Sequence, residues 1–227
     1  MRKVEEVLAP GEIPLWVHPE WADRFPWLVH GTTAGRSQAG EVLDFGFFGA
    51  APVGEVGSRW RRLRAATRMP TTLHARQVHG ADVGEWLQPL PPGMVLVDGI
   101  DAHVTAVPGL LLAVSVADCI PISIVAERSR VVGLAHAGWR GIAAGVLEAA
   151  VQRLREVGAG TDEMWLHCGP SICGACYEGG PEVHEAIDPT SPVPERPAPI
   201  DLAAAIGRRA AALGLDRAKV TASAHCT

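Results

Sequence analysis

Three short apolar runs in the middle of the chain predict its clearest structural elements. Leu110–Val116, Ile122–Val125 and Val131–Ala135 are each bounded by polar or turn-forming residues. Runs of this length with such boundaries are typical of buried β-strands. Because only a short polar break separates the last two runs, we expect them to pair as an antiparallel hairpin.

Amphipathic spacing and turn residues predict the other elements. Helices are expected over 57–68, 142–157 and 201–213, with Arg59 off the buried face of the first and Asp201 capping the last. Strands are expected over 71–79, 164–167 and 219–222. Residues 1–29 form a Pro- and Trp-rich N-terminal extension, whose prolines exclude a long helix. The mixture predicts an α+β fold in a single domain over residues 1–227.

Composition narrows the class of protein. The chain has 227 residues, of which 48% are hydrophobic, and a formal net charge of −5, so a large core is expected and a nucleic-acid surface is not. No apolar segment is long enough to cross a membrane, and the first residues lack the apolar stretch of a signal peptide. We therefore expect a cytoplasmic protein. Five Cys, an odd number, indicate thiols or metal ligands rather than a disulfide framework.

Reactive side chains stand at the ends of three predicted strands. Cys119 follows the run Leu110–Val116, His136 follows the run Val131–Ala135, and His79 ends the predicted strand over 71–79. Taken singly, such a Cys is usually a small buried apolar group, and such a His is usually a hydrogen-bonded packing residue. Their shared placement predicts that the three side chains meet in space.

Two imidazoles and one thiolate suit Zn²⁺, which prefers nitrogen and sulfur in tetrahedral geometry. Three protein ligands leave a fourth position open, where a water whose pKa falls toward about 7 becomes a nucleophile at neutral pH. Copper is the alternative cofactor, because two His and one Cys also occur in blue-copper sites.

Arg140 is the candidate for binding phosphate. It follows Gly138-Trp139 and precedes a predicted helix, whose first N–H groups also favour anions. Trp139 is suited either to stack on a base or to pack in the core. Asp101 and His103 are candidates for acid or base catalysis or for supporting a ligand, and hydrogen bonding within a loop is their simpler role.

A second group of Cys raises a separate question. Cys168, Cys173 and Cys176 have the C-x4-C-x2-C spacing of plant-type [2Fe–2S] ferredoxins, and Cys226 is available as a fourth ligand. The simpler interpretation, which we prefer, is a set of buried thiols near one another. We therefore expect no iron–sulfur cluster.

Four motifs follow one another in a fixed order, namely Gln77–Gly80 (QVHG), Ala117–Cys119 (ADC), His136–Gly141 (HAGWRG) and Gly169–Glu178 (GPSICGACYE). As a set they resemble the YfiH/YlmD-type laccase-domain family, also called multicopper polyphenol oxidoreductase-like or peptidoglycan editing factor proteins. The resemblance covers roughly His30 to Thr227. It implies a mixed β-sheet sandwich with flanking helices and a metal held by His79, Cys119 and His136.

The resemblance also implies an activity, purine nucleoside phosphorylase acting on adenosine, inosine and methylthioadenosine, with adenosine deaminase as a second activity. Tyr177 and Glu178 match a Tyr-Glu pair of the family and become candidates for substrate binding. Arg36 is a further candidate, because the family usually has Arg where Ala34 stands. The predicted catalytic residues are Cys119, His136, Arg140 and Asp101. The expected partners are a purine nucleoside and phosphate, for a monomer or homodimer.

Three other functions remain open at this point. One is an amidase that edits peptidoglycan precursors, with the zinc-bound water or Cys119 as nucleophile. Another is a copper-dependent polyphenol oxidase, although none of the nine His forms the His-x-His pairs typical of multicopper oxidases. The third is a zinc-stabilised binding module without catalysis.

Overall fold

A computed structural model describes residues 1–227. Its fifteen strands are β1 (Arg2–Val4), β2 (Val7–Ala9), β3 (Leu15–Val17), β4 (Thr32–Thr33), β5 (Thr71–Arg76), β6 (Val83–Trp86), β7 (Gly93–Asp98), β8 (Ala102–Thr105), β9 (Leu110–Ala113), β10 (Ile120–Ala126), β11 (Val131–Ala137), β12 (Met164–Cys168), β13 (Glu178–Gly179), β14 (Ala198–Pro199) and β15 (Val220–Ser223). Its six α-helices are α1 (Pro19–Arg24), α2 (Val53–Thr67), α3 (Trp139–Ala144), α4 (Val146–Glu156), α5 (Pro181–Ile187) and α6 (Leu202–Ala212).

The largest sheet has seven strands in the order β1-β15-β12-β10-β11-β8-β6. Its centre is the predicted hairpin, in which β10 and β11 pair antiparallel from Ile120 opposite Ala137 to Ala126 opposite Val131. Parallel pairs flank this centre, since β15 runs parallel to β12 and β6 runs parallel to β8. The predicted α+β class, with mixed sheets and flanking helices, is confirmed.

The hairpin strands are mostly apolar because the sheet is covered on both faces. Ile120, Ile122 and Ile124 are fully buried in the main core, which also receives α4 and α6. Val125 points the other way and packs with Trp21 and Phe25. Successive side chains of a strand alternate between faces, so one strand serves both cores. Each fully buried Ile of this kind stabilises the fold by about 1.5–3 kcal/mol.

A second sheet, of three parallel strands in the order β7-β5-β9, lies beside the main one. Its first strand in the chain, β5, ends at Arg76, and Gln77 then binds the backbone of the segment after β9. The Gln77 amide donates to the Ser115 carbonyl at 2.9 Å and accepts from the Ser115 N–H at 2.7 Å. This clamp fixes the turn that carries His79 against the segment that leads to Cys119.

Three features differ from the sequence-based expectations. The helix predicted over 142–157 is two helices, α3 and α4, separated by Gly145 at φ 87°, a left-handed conformation that glycine adopts without strain. Arg59 was expected off the buried face of α2, but it is only 9% exposed and pairs with Glu41 and Glu55. The strand predicted over 110–116 ends at Ala113.

The Pro- and Trp-rich segment over residues 1–29 takes part in the main sheet. Its strand β1 pairs parallel with β15, and Trp21 of α1 is 1% exposed. Buried polar contacts hold the same segment, because the Glu6 carboxylate meets the His167 ring at 3.1 Å and also binds the Ser223 hydroxyl. The helices of the structure include none that is both long and apolar enough to cross a membrane.

Candidate metal centre

The register of the central hairpin brings Cys119 and His136 to the same end of the sheet. Ile120 pairs with Ala137, so the next residues outward are Cys119 on one side and Gly138 on the other. His136 lies one step inside, opposite Pro121. The apolar alternation of the two strands therefore determines which side chains emerge together at this edge.

His79 comes from the turn after β5, in the second sheet. Its backbone is left-handed, with φ 60°, and Asp101 holds it there. The Asp101 carboxylate accepts backbone N–H groups from Val78 at 3.1 Å, His79 at 3.0 Å and Gly80 at 2.8 Å. Three donors on one carboxylate stabilise a turn that a non-glycine residue would otherwise disfavour.

The three predicted residues lie together, with their ligand atoms within 4.8 Å of one another. The Cys119 Sγ and His79 Nε2 atoms are 3.8 Å apart, and the rings of His79 and His136 have centroids 4.7 Å apart at 79°. Tetrahedral zinc at its usual bond lengths places a nitrogen and a sulfur ligand about 3.6 Å apart. His136 is buried, Cys119 is half-buried and His79 is exposed, so the group opens to solvent on the His79 side.

Gly138 keeps the space between these donors free. A Cβ atom at this position would lie 2.9 Å from Cys119 Sγ and 2.9 Å from His79 Cδ2, closer than van der Waals contact. The backbone of Gly138, at φ −80° and ψ 172°, is one that any residue adopts, so the requirement for glycine is the space itself. The donor set and this gap both fit a cation of the size and preferences of zinc or copper.

Asp101 also orients the His136 ring. Its Oδ1 atom lies 2.9 Å from His136 Nδ1, which leaves Nε2 directed toward Cys119. Burial disfavours the charged ring, but the hydrogen bonds with Asp101 and with Cys119 outweigh this cost and raise the pKa of His136 to about 9. A cation held by Nε2 and Sγ would take the place of the shared proton. This arrangement of carboxylate and imidazole is common behind metal-bound His.

Burial and neighbouring groups also shift the pKa values of His79 and Asp101. Burial, and then the neighbouring charge of His136, lower the pKa of His79 and favour the neutral ring that binds metals. For Asp101, burial opposes ionisation, but the hydrogen bonds from His136, Gly80 and Val78 hold its pKa below the usual value. Asp101 is therefore an anion with no exposed surface.

Two of the predicted substrate-binding residues border the group. Arg140 is exposed, and its guanidinium lies 4.3 Å from the centre of the Trp139 ring. Helix α3 begins at Trp139, so Arg140 lies within its first turn rather than before it, and the helix is only six residues long. Tyr177 is half-buried, and burial raises the pKa of its hydroxyl, with the adjacent Cys119 acting in the same direction.

Other predicted residues lie apart from the three donors. Arg36 is exposed and donates to the carbonyl of Gly40 at 3.0 Å. Glu178 is exposed in β13. His103 is fully buried, accepts from the Trp86 indole at 3.2 Å and has a pKa lowered to about 4 by burial. Their predicted roles remain predictions.

The Cys residues that lie together in space are not the three that the sequence spacing grouped. Cys168 is fully buried in β12, while the thiols of Cys173, Cys176 and Cys226 lie within 4.8 Å of one another. Of the three Cys in that spacing, Cys173 is half-buried and Cys176 is exposed, so the preferred interpretation of buried thiols holds only for Cys168. The approach of Cys226 depends on β15 lying beside β12, which no local spacing reveals.

Sequence reasoning assigned no role to Gln77 or Gly138, although both lie inside the quoted motifs. Their functions become visible only from the contact of Gln77 with Ser115 and from the gap beside Gly138. A cavity of about 940 Å³ is lined in part by the Val114–Ala117 segment and mainly by apolar and aromatic side chains that include Trp21 and Trp27. None of the three donors lines it.

Comparison with known proteins identifies the family and several relatives of this chain. A family model described as "Multi-copper polyphenol oxidoreductase laccase" matches residues 33–227. The chain is 33% identical over 168 residues to "Adenosine deaminase RL5" of an unknown prokaryotic organism, covering 70% of this chain and 64% of the relative. It is 42% identical over 116 residues to "Purine nucleoside phosphorylase SCO2081" of Streptomyces coelicolor, covering 51% and 47%. The matches thus span about half to two thirds of these relatives' length.

Among solved structures, YlmD from Geobacillus stearothermophilus superimposes with a TM-score of 0.83 at 26% identity, covering 97% of this chain and 89% of that one.

Replacing Asp101 by Asn should destabilise the protein by about 2–4 kcal/mol, because an amide cannot accept all four hydrogen bonds and places an N–H₂ group against buried donors. Urea denaturation of the metal-free protein measures this change. The matched control is Asp98→Asn, whose carboxylate is 69% exposed and pairs with Arg76 on the surface, so its effect should be much smaller. Equal midpoints for the two variants would contradict the central role of Asp101.

Proposed function

Because this chain belongs to the laccase-domain family described as multi-copper polyphenol oxidoreductase laccase, we propose that it is a zinc-dependent purine nucleoside phosphorylase with adenosine deamination as a second activity. The observation that carries the proposal is the cluster of His79, Cys119 and His136, whose donor atoms lie within 4.8 Å and open toward solvent. The names of the relatives, purine nucleoside phosphorylase and adenosine deaminase, support the substrate class.

In this proposal His79, Cys119 and His136 hold the cation. When bound by three protein ligands, zinc supplies a Lewis acid with one open position. Asp101 is a positioning residue, because its carboxylate is buried and all of its recorded contacts are with the turn at 78–80 and the His136 ring. It fixes the direction of Nε2 and keeps that nitrogen available as a ligand.

Arg140 is the proposed phosphate ligand. Its guanidinium lies 4.3 Å from the centre of the Trp139 ring and has no carboxylate partner within the protein, unlike Arg76, which is paired with Asp98. A stacked guanidinium keeps its N–H donors free to make paired hydrogen bonds with phosphate oxygens. In phosphorolysis a phosphate oxygen forms a bond to C1′ of the sugar, the bond from C1′ to N9 breaks, and the electron pair leaves with the purine.

The departing purine needs a proton or a hydrogen bond at its ring nitrogen. Asp101 and His103 both have no exposed surface, and the Asp101 carboxylate is already engaged, so we exclude both from this role. The remaining candidates are Tyr177, which is half-buried beside Cys119, and Glu178, which is exposed. We assign the contact with the base to this pair, and Trp139 provides an adjacent aromatic face.

Cys119→Ser should lower the zinc content of the purified protein by one equivalent, because a serine hydroxyl is a poor replacement for a thiolate ligand. Elemental analysis of protein purified under reducing conditions measures the loss. Cys168→Ala is the matched control, since this thiol is fully buried and takes part in neither group of ligands. Unchanged zinc in Cys119→Ser would remove the metal from the proposal.

Gly138→Ala should weaken zinc binding by about tenfold or more while leaving the fold intact, because the added Cβ pushes apart Cys119 Sγ and His79. Isothermal titration of metal-stripped protein gives the affinity. Gly54→Ala on the exposed face of α2, where a Cβ meets nothing within 4 Å, is the control and should bind zinc normally. Wild-type affinity in Gly138→Ala would show that the gap is not part of the site.

For the activity, adenosine, inosine and methylthioadenosine are incubated with the zinc-loaded protein, with and without phosphate, and the products are separated by chromatography. We expect release of free base that depends on phosphate. Arg140→Ala should lower kcat/KM for phosphate by about 10–100-fold, which corresponds to the loss of a charge-assisted hydrogen bond. Arg61→Ala, an exposed Arg of α2, should leave it unchanged.

The same preparations decide between the alternatives. Inosine formed from adenosine without phosphate would support the deaminase activity. Release of an amino acid from a peptidoglycan precursor, with no free base and no inosine, would instead support the editing amidase. Oxidised phenol from copper-loaded protein would support the polyphenol oxidase that the family description names. No product from any substrate would leave a metal-stabilised binding module.

A further inference from the structure

A second group of three thiols lies outside the centre described above. Cys173 and Cys176 belong to the turn that follows β12, and Cys226 follows β15. Their sulfur atoms lie within 4.8 Å of one another. The backbone brings them together, because Ser171 and Cys226 form an isolated parallel bridge and the Thr227 N–H donates to the Ser171 carbonyl at 3.2 Å.

The turn at Cys173–Cys176 is shaped around sulfur. The Cys173 N–H donates to Cys226 Sγ at 3.2 Å, and the Cys176 N–H donates to the Cys173 carbonyl at 3.0 Å, which closes the turn. A backbone donor to sulfur orients a thiolate ligand and stabilises its charge. The Cys226 sulfur therefore already has a backbone partner of the kind that a bound thiolate needs.

Packing fixes this turn in place. A Cβ atom on Gly174 would lie 2.7 Å from the Cβ atom and 3.0 Å from the Cα atom of Asp201, so the turn is pressed against the start of α6. Asp201 is itself held as the N-cap of that helix, accepting the Ala204 N–H at 2.8 Å. The two Cys of the turn are thus held on a rigid base.

These thiols are unlike the buried Cys168. Cys176 and Cys226 are exposed and Cys173 is half-buried, so they do not serve as apolar core groups. The structure has no disulfide among them. An iron–sulfur cluster requires four ligands, and Cys168, the fourth member of the sequence spacing, is fully buried in β12 and outside the group. A single cation fits three sulfurs better than a cluster does.

We propose that Cys173, Cys176 and Cys226 form a second metal site, which binds one thiophilic divalent cation such as Zn²⁺. Tetrahedral zinc with Zn–S bonds of about 2.3 Å places sulfur atoms about 3.8 Å apart, so the observed group needs only a small contraction. The exposed side of Cys176 and Cys226 leaves the fourth position to solvent. This inference is independent of the proposed activity.

The second site would connect three segments around the first one. The Thr227 hydroxyl donates to Asp118 Oδ1 at 2.9 Å, and the Ile172 N–H donates to the Asp118 carbonyl at 3.0 Å. Asp118 has a left-handed backbone, with φ 73°, and directly precedes Cys119. Thr227 follows Cys226, and Ile172 precedes the 173–176 turn. A cation that joins Cys226 to this turn would therefore fix both hydrogen-bond partners of Asp118, the residue before Cys119.

The test measures metal binding in a variant that lacks the Cys119 thiol of the first site. Cys119→Ser protein is purified with a phosphine reductant, stripped with a chelator and titrated with Zn²⁺ or Co²⁺ alone. We expect one equivalent of the added metal to bind. With Co²⁺, we also expect the intense near-ultraviolet charge-transfer absorption of cobalt–thiolate bonds. Adding Cys226→Ser or Cys173→Ser should abolish both signals, whereas adding Cys168→Ala should leave both unchanged.

Thermal denaturation and alkylation guard against misfolded variants. Zinc should raise the Tm of Cys119→Ser but not that of Cys119→Ser/Cys226→Ser. In the protein with all its Cys intact, zinc should slow iodoacetamide labelling of Cys173, Cys176 and Cys226, read by peptide mass spectrometry. Folded Cys119→Ser that binds no metal and shows no protection would overturn the proposal. So would a loss of two hydrogens in mass, which would identify a disulfide among these thiols instead.

Discussion

One buried carboxylate connects the two halves of the candidate site. Asp101 has no exposed surface, yet it accepts the backbone N–H groups of the 78–80 turn and the ring of His136. The turn belongs to the parallel sheet and the ring to the main sheet, so this side chain holds the two sheets in a fixed relation. An uncompensated buried charge costs several kcal/mol, which makes partial assembly of the arrangement unfavourable. The positions of His79 and His136 are therefore determined together.

The sequence could predict the parts of the site that follow from strand periodicity. Short apolar runs located β10 and β11, and the run that became β11 gave His136. Cys119 was predicted from the end of the run Leu110–Val116, whereas in the structure it directly precedes β10. Residues 142–157 were predicted to form one continuous helix because the apolar spacing continues across Gly145. Only the left-handed backbone of Gly145 reveals that the segment is divided between two helices. Arg59 was expected on the exposed face because propensity and pattern do not report the acidic partners that allow it to be buried.

Contacts between distant segments explain what the sequence could not predict. The position of His79 beside Cys119 depends on the hydrogen bonds of Asp101 and on the Gln77 clamp, neither of which has a local pattern. The spacing of Cys168, Cys173 and Cys176 grouped the wrong three thiols, because β12 buries the first and the pairing of β12 with β15 brings Cys226 in its place. In both cases a side chain's neighbours are determined by sheet topology rather than by distance along the chain.

The separation of the candidate ligands along the chain has a consequence for how a metal would be acquired. His79 and Cys119 are 40 residues apart, and closing a flexible loop of that length costs about 3 kcal/mol of chain entropy before any bond to a cation is made. In small zinc fingers the ligands are close in sequence, and the ion itself drives the chain to fold. Here the contacts of the hairpin, the parallel sheet and Asp101 offset that entropic cost without an ion. A cation at this site would enter a chain that is already folded, so its removal by a chelator would leave the fold intact.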